Sequence, residues 1–332
     1  MTALRVGLVG CGLIGGKRVA ALGPARLVAC TDVAAGRAAA LAARHPGCRV
    51  EPSWEQVVTA PDVDLVLVAT THDVLAPVTL AAVQAGKHVL VEKPAARSAA
   101  ELRPVVEAAG RGRSLVRVGF NHRYHRAFRQ LRALLDQGVA GELMFLRARY
   151  GHGGRLGYEK EWRADPVRAG GGELIDQGMH LIDLSRWLLG DLSTVLGRAR
   201  TCYWDMAVDD NAFLMLETAR GQVAWLHASA SEWKNTFSLE LYGRGAKLQV
   251  DGLGGSYGVE RLTLYRMLPE MGPPETTAWE YPFADDSWAV EFAEFLEDIR
   301  LGRAPAAGLA DALAALGVVD TIYQESRRDH RP

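Results

Sequence analysis

Through the first 120 residues, short continuous apolar runs alternate with stretches of helical period. Leu4 to Val9, Leu27 to Thr31, Leu65 to Ala69, His88 to Val91 and Leu115 to Val118 read as strands buried on both faces. Between them lie helical patterns: one after Gly15 to about Leu22, Ala34 to Arg44, a short piece Trp54 to Thr59, Pro77 to Ala85 closed by Gly86, and Ser98 to Ala109. Strands that alternate with helices in this way build a parallel, doubly wound sheet. After Phe120 the pattern changes. One more helix is predicted over Tyr124 to Gln137. Longer, more alternating runs follow at Glu142 to Tyr150, Thr194 to Tyr203, Asn211 to Glu217, Val223 to Ser231, Thr236 to Gly243, Ala246 to Val250 and Arg261 to Arg266. These predict a mostly antiparallel sheet with a helix over 171–189 packed on it, and two closing helices, Trp288 to Leu301 and Leu309 to Glu325. The expected fold is therefore α/β, an N-terminal Rossmann domain over 1–120 and an α+β domain over 121–332, with the closing helices free to pack back on the first domain.

Composition narrows the function classes. The 332 residues carry 38 Lys and Arg against 39 Asp and Glu, so there is no basic field for nucleic acid or an anionic membrane. Cys11, Cys30, Cys48 and Cys202 have no paired spacing, which fits a reducing cytoplasm better than a disulfide framework or zinc site. No run is long and apolar enough to span a membrane. The start, MTALRVGLVGCG, reads as a first strand rather than a signal peptide.

Gly10-Cys11-Gly12-Leu13-Ile14-Gly15 follows the first strand and opens a helix, and Asp32 ends the second strand 17 residues after Gly15. That context is what a dinucleotide fingerprint requires. Gly10 makes the turn, Gly12 admits the pyrophosphate, Gly15 lets helix and strand pack, and the helix N-terminus holds the anion. Asp32 accepts from ribose hydroxyls and repels a 2'-phosphate, so NAD is favoured over NADP. An ordinary turn in a Rossmann-like domain, a flavin site and an S-adenosylmethionine site are the alternatives.

A second signal is Asp176 and His180, four residues apart in an apolar stretch, with Asp183 three further on. On a 3.6-residue period they share one face. A solvated stripe, a metal site and a proton-transfer site all fit that spacing. No additional ligands stand out for a metal. An imidazole, with an intrinsic pKa of about 6.5, suits a base near neutral pH.

Glu92-Lys93-Pro94, then Gly119-Phe120-Asn121-His122-Arg123-Tyr124, then Trp162-Arg163 before Gly170-Gly171-Gly172 and Asp176-x-x-x-His180, resembles the Gfo/Idh/MocA oxidoreductase family, which includes inositol dehydrogenase and glucose-fructose oxidoreductase. The resemblance runs in order over nearly the whole chain. It implies an NAD-dependent dehydrogenase that oxidises a secondary hydroxyl of a sugar, cyclitol, nucleotide-sugar or aminoglycoside to a ketone. It also implies a homodimer or homotetramer formed through the open face of the C-terminal sheet. Carried over by position, Lys93 lies between nicotinamide and substrate, and Asp176 and His180 face it. Thr70, Thr71, His72, Glu92, Asn121 and Arg163 join the glycine loop and Asp32 as cofactor contacts. Asn121, Arg123, Tyr150 and Trp162 join the three catalytic candidates as substrate contacts. The family more often has Pro-Asn type residues at the loop of Thr71 and His72. The Lys93-Pro94 bond is a place where a cis peptide would help aim the lysine. The base is either His180 or Lys93, with His180 favoured. Asp183 reads as structural, pairing with an arginine or capping, and Trp187 as packing. Reduction of a keto-sugar by the same residues is the alternative reaction, and a non-catalytic NAD sensor is the rival outside catalysis.

Overall fold

The computed structural model describes residues 3–328. Two compact units are present. One holds the chain up to Phe120 with residues Val167–Gly170 and Trp288–Leu316. The other holds Asn121–Pro166, Gly171–Ser287 and the chain from Gly317.

The first unit contains a six-stranded parallel sheet: β1 (Arg5–Val9), β2 (Arg26–Thr31), β3 (Arg49–Val50), β4 (Leu65–Val68), β5 (His88–Val91) and β6 (Val116–Val118). Their order is β3-β2-β1-β4-β5-β6, the doubly wound order whose direction reverses between β1 and β4. Ligands of such sheets gather at the carboxyl ends of the strands on either side of that reversal. The glycine loop leaves β1 there, Thr70 and Thr71 leave β4, and Lys93 leaves β5. Strands β4 and β5 are almost wholly apolar, because helices cover both faces. Phe292 and Phe295 of the helix Ser287–Leu301 complete the core around Val6, Leu8, Leu65 and Leu90.

The second unit is built on an eight-stranded sheet of β7 (Leu143–Gly151), β8 (Leu192–Arg200), β9 (Asn211–Thr218), β10 (Val223–Ser229), β11 (Thr236–Gly243), β12 (Ala246–Asp251), β13 (Glu260–Arg266) and β14 (Glu275–Tyr281). The order is β14-β13-β12-β11-β7-β10-β9-β8, and only β7 with β10 is a parallel pair. Burial alternates along β11 and β12, so one face is packed and the other open. The segment carrying Asp176 and His180 lies against β7 and β10.

Several local readings need correction. Strand β14 has no apolar alternation because it is the sheet edge and buries nothing, and β3 is too short to leave a pattern. The helix read as starting at Pro77 runs His72–Gln84, with Thr71 at its N-cap and Pro77 inside it. The expected helix Tyr124 to Gln137 is a 3-10 turn, Asn121–Tyr124, and then a helix, Arg126–Asp136. The single helix expected over 171–189 is a π-helical segment, Leu174–Gly178, followed by an α-helix, Met179–Leu189. Wider π winding changes the angle between residues four apart, so the shared face of Asp176 and His180 cannot be read off a 3.6-residue period. Isolated π turns inside α-helices occur often at functional sites.

Candidate active site

In the first unit the glycine loop is shaped by close approach. Gly10 has φ +97°, and a Cβ there would lie 2.3 Å from the Ala69 carbonyl oxygen. A Cβ on Gly15 would lie 2.0 Å from the Gly10 carbonyl oxygen, so the helix Leu13–Ala20 can seat only on a glycine. A Cβ on Gly12, by contrast, would meet nothing within 4 Å. Gly12 is the N-cap and offers no side-chain cap, which leaves the first helical N–H groups for an anion. Leu13 is exposed, and Ile14 is partly exposed beside it. Asp32 is half-exposed: one carboxylate oxygen accepts from the Cys11 amide at 2.7 Å and the other from the Ala34 amide at 2.8 Å. The acid is thus pinned to the loop, and lone pairs on both oxygens stay available for ribose hydroxyls. These residues fit a dinucleotide.

Thr70 and Thr71 are partly exposed at the end of β4, with Thr71 Oγ1 donating to Asp73 at 2.6 Å. His72 is buried and its Nδ1 is bonded to the Ala169 carbonyl at 2.8 Å. Glu92 is buried and accepts from Arg18 Nε at 2.6 Å, and Arg18 also pairs with Glu291. The charge just before Lys93 is therefore tied to the glycine-loop helix. Lys93 itself is partly exposed, and the Lys93-Pro94 peptide bond is cis.

In the second unit His180 is buried, and its ring stacks on His122 at 3.6 Å between centroids and 17° between planes. Tyr150 approaches both rings edge-on or tilted. His122 had no signal in the sequence beyond its place in the Asn121 to Tyr124 stretch, because no periodicity links it to His180. Asp176 is buried and accepts from Arg163 Nε at 2.9 Å, while the Arg163 guanidinium lies over the Trp162 ring at 4.6 Å. Asn121 donates to Ser287 Oγ at 3.0 Å and meets His122 Nδ1 through its oxygen at 3.2 Å. Arg123 makes a two-pronged, buried pair with Asp183, at 2.8 and 2.5 Å. That is the arginine partner expected for Asp183. Trp187 packs under the Arg123 and Arg132 guanidinium groups.

A polar rim surrounds this cluster. Burial pushes the Tyr150 phenol well above its usual range, and its bond to Tyr257 adds to the effect. Glu173, which the sequence reading passed over, accepts from Tyr158 Oη at 2.6 Å and lies 3.3 Å from His152 Nε2. Burial works against charge on His152, yet the Glu173 carboxylate outweighs it and raises the imidazole above its ordinary value. Among the described residues the unit thus gathers imidazoles, phenols and two buried carboxylates of one segment, a set able to accept protons and hydroxyl hydrogen bonds.

The profile described as "Oxidoreductase family, NAD-binding Rossmann fold" matches residues 4–120, and the "GFO/IDH/MocA C-terminal domain" profile matches residues 128–249. "Inositol 2-dehydrogenase 3" of Saccharopolyspora erythraea is 31% identical over 326 residues, covering 95% of this chain and 90% of that protein. The chain belongs to the Gfo/Idh/MocA family. It is an NAD-dependent oxidoreductase, and the cofactor expected from Asp32 and the glycine loop is that of the family. "Inositol 2-dehydrogenase 2" of the same organism is 33% identical over 226 residues, but the match spans 66% of this chain and 64% of that protein. Among solved structures, an oxidoreductase domain protein from Kribbella flavida matches with a TM-score of 0.88 at 25% identity, over 99% of this chain and 98% of that one. Levoglucosan dehydrogenase in complex with NADH and L-sorbose shares the fold, with a TM-score of 0.87 at 21% identity over 98% of this chain and 97% of that one.

Proposed function

We propose that the protein oxidises one secondary hydroxyl of a sugar-like or cyclitol substrate to a ketone. The observation that carries this reading is the buried His180, stacked on His122 and borne by the same π/α segment as Asp176. Bound NAD supplies the hydride acceptor for the carbinol carbon. His180 takes the hydroxyl proton, and Asp176, steadied by Arg163, accepts from neighbouring substrate hydroxyls. Lys93 supplies positive charge to the developing alkoxide. Tyr150 and Trp162 offer ring faces to a polyhydroxylated ring. Glycine-loop residues, Asp32, Thr70, Thr71 and the Glu92-Lys93 turn hold the cofactor. The relatives named inositol 2-dehydrogenase support a polyhydroxylated ring as the substrate class. Incubation with NAD and a panel of inositols, aminoglycosides and nucleotide-sugars is expected to yield NADH with at least one. Absence of NAD binding by calorimetry sinks the reading.

We also propose a cytoplasmic homodimer or homotetramer assembled through the open face of the second sheet. Among the described residues no helix is long and apolar enough to cross a membrane. On the open face Leu196, Phe213, Met215 and Trp225 are each exposed by 43% or more, although soluble surfaces rarely leave such a group bare. They fall on the neighbouring strands β8, β9 and β10, where Trp225 pairs with Met215 and Met215 with Leu196. Light scattering is expected to give a dimer or larger for the native chain. For Met215→Glu/Trp225→Glu it should give the 36.0 kDa monomer. A native monomer contradicts this assembly.

A further inference from the structure

The segment bearing Asp176 and His180 begins against one residue from elsewhere in the second unit. Asp209 Oδ1 accepts from the Gly172 amide at 2.9 Å and from Tyr323 Oη at 2.8 Å, and Oδ2 accepts from the Leu174 amide at 2.7 Å. The Asp209 carbonyl accepts from the Glu173 amide at 2.9 Å. Three consecutive N–H groups at the start of the segment, which an unsupported helix start would leave without partners, all end on Asp209. Contact is close enough to dictate sequence. A Cβ on Gly172 would lie 1.8 Å from the Asp209 carbonyl oxygen, and one on Gly171 would lie 2.0 Å from Tyr323 Oη. Gly171 and Gly172 are therefore accounted for by this seat.

We propose that Asp209 is a positioning residue for the dehydrogenation: its carboxylate sets where the segment starts, and through the π turn where Asp176 and His180 stand. This rests on the reading that those two residues serve the reaction.

The placement does not come from a search for stability. Burial pushes the Asp209 carboxyl up to about 6 from its ordinary value, against the pull of the Leu174 and Gly172 amides and the Tyr323 hydroxyl, with the Glu173 carboxylate adding to the rise. A carboxyl raised on folding takes up a proton between its unfolded and folded values. Its contribution to stability therefore grows as the pH falls through about 6 and is lowest at neutral pH. Keeping the charge at neutral pH retains three acceptor bonds to the carboxylate at a cost to stability.

Asp209→Asn separates the two roles, because the amide has the same shape but can accept on only one side. Turnover is followed with NAD and whichever member of the polyol panel yields NADH, together with hydrogen exchange of the Gly172 and Leu174 amides. The variant is expected to lose about 100-fold in kcat, the scale of a small misplacement of reacting groups. KM for NAD should stay within twofold, the melting temperature at neutral pH should not fall, and both amides should exchange faster. Tyr323→Phe, which removes the hydroxyl's bond to the Asp209 carboxylate and the 3.1 Å bond it accepts from the Gly172 amide, is expected to lose about tenfold in kcat. It serves if the first variant does not fold. A kcat within twofold of native, a loss that merely tracks the melting temperature, or unchanged protection of Gly172 and Leu174 overturns the proposal. The exchange result stands even if no polyol is oxidised, an outcome that would sink the proposed reaction instead. Full turnover by His180→Ala would likewise remove the reaction role of the segment and leave the exchange result intact.

Discussion

His180→Ala is expected to lower kcat/KM by about 10² to 10⁴-fold, the usual worth of a positioned general base. The affinity for NAD, measured by calorimetry, should stay at the native value, since His180 is not among the expected cofactor contacts and the glycine loop and Asp32 lie in the first unit. Lys93→Ala is expected to cost about 10² to 10³-fold, as does removal of one electrostatic stabiliser of a developing oxyanion. The pH profile separates the two roles. A base works only when unprotonated, so the native kcat/KM falls on the acid side. If His180 is the base, that acid limb persists in Lys93→Ala and disappears from the residual rate of His180→Ala. The reverse pattern would transfer the proton to Lys93. If the two residues serve one proton and one charge of the same step, the double variant should lose less than the product of the single losses. Native turnover in both single variants would favour the NAD sensor over the dehydrogenase.

Gly15→Ala is expected to abolish useful cofactor binding. The new Cβ would stand 2.0 Å from the Gly10 carbonyl oxygen, which is backbone and cannot swing aside. The helix Leu13–Ala20 must then lift off β1, or the glycine loop must open, and either movement carries the free N–H groups away from the pyrophosphate. Losing one charge-assisted hydrogen bond to a phosphate corresponds to about 10 to 100-fold in Kd. The overpacking itself costs about 1–3 kcal/mol of stability. Calorimetry with NAD and a thermal melt read the two effects separately. A variant that binds NAD within threefold of native would show that Gly15 is not the packing hinge of the loop.

Legibility differed sharply between the two units. In the first, every strand but β3 is largely buried on both faces, so a plain apolar run announces it, and the glycine loop is a local constraint written in adjacent residues. Only the two-residue β3 escaped. In the second, strands in the sheet interior alternate and were read within a few residues, whereas β14 is exposed at the edge and carries no alternation. The π segment was also invisible. Its start is held by bonds from Gly172, Glu173 and Leu174 to Asp209, more than thirty residues away in the chain, which no side-chain period records. Asp176 and His180 could be named as chemical candidates from residue type and spacing. Their surroundings could not.

From the sequence alone follow the doubly wound sheet, the glycine loop with its acid, the change of pattern at residue 120 and the family. Those features are local or periodic, and each is forced by burial or backbone geometry within a short stretch. Only the tertiary structure brought His122 onto the face of His180, Arg163 onto Asp176, Arg123 onto Asp183 and Asp209 under the start of the segment. Such pairings join positions 13 to 60 residues apart, and no spacing rule covers them because the chain between is free to take many paths. What decides them is the need to give each buried polar group a partner once the sheet has closed over it.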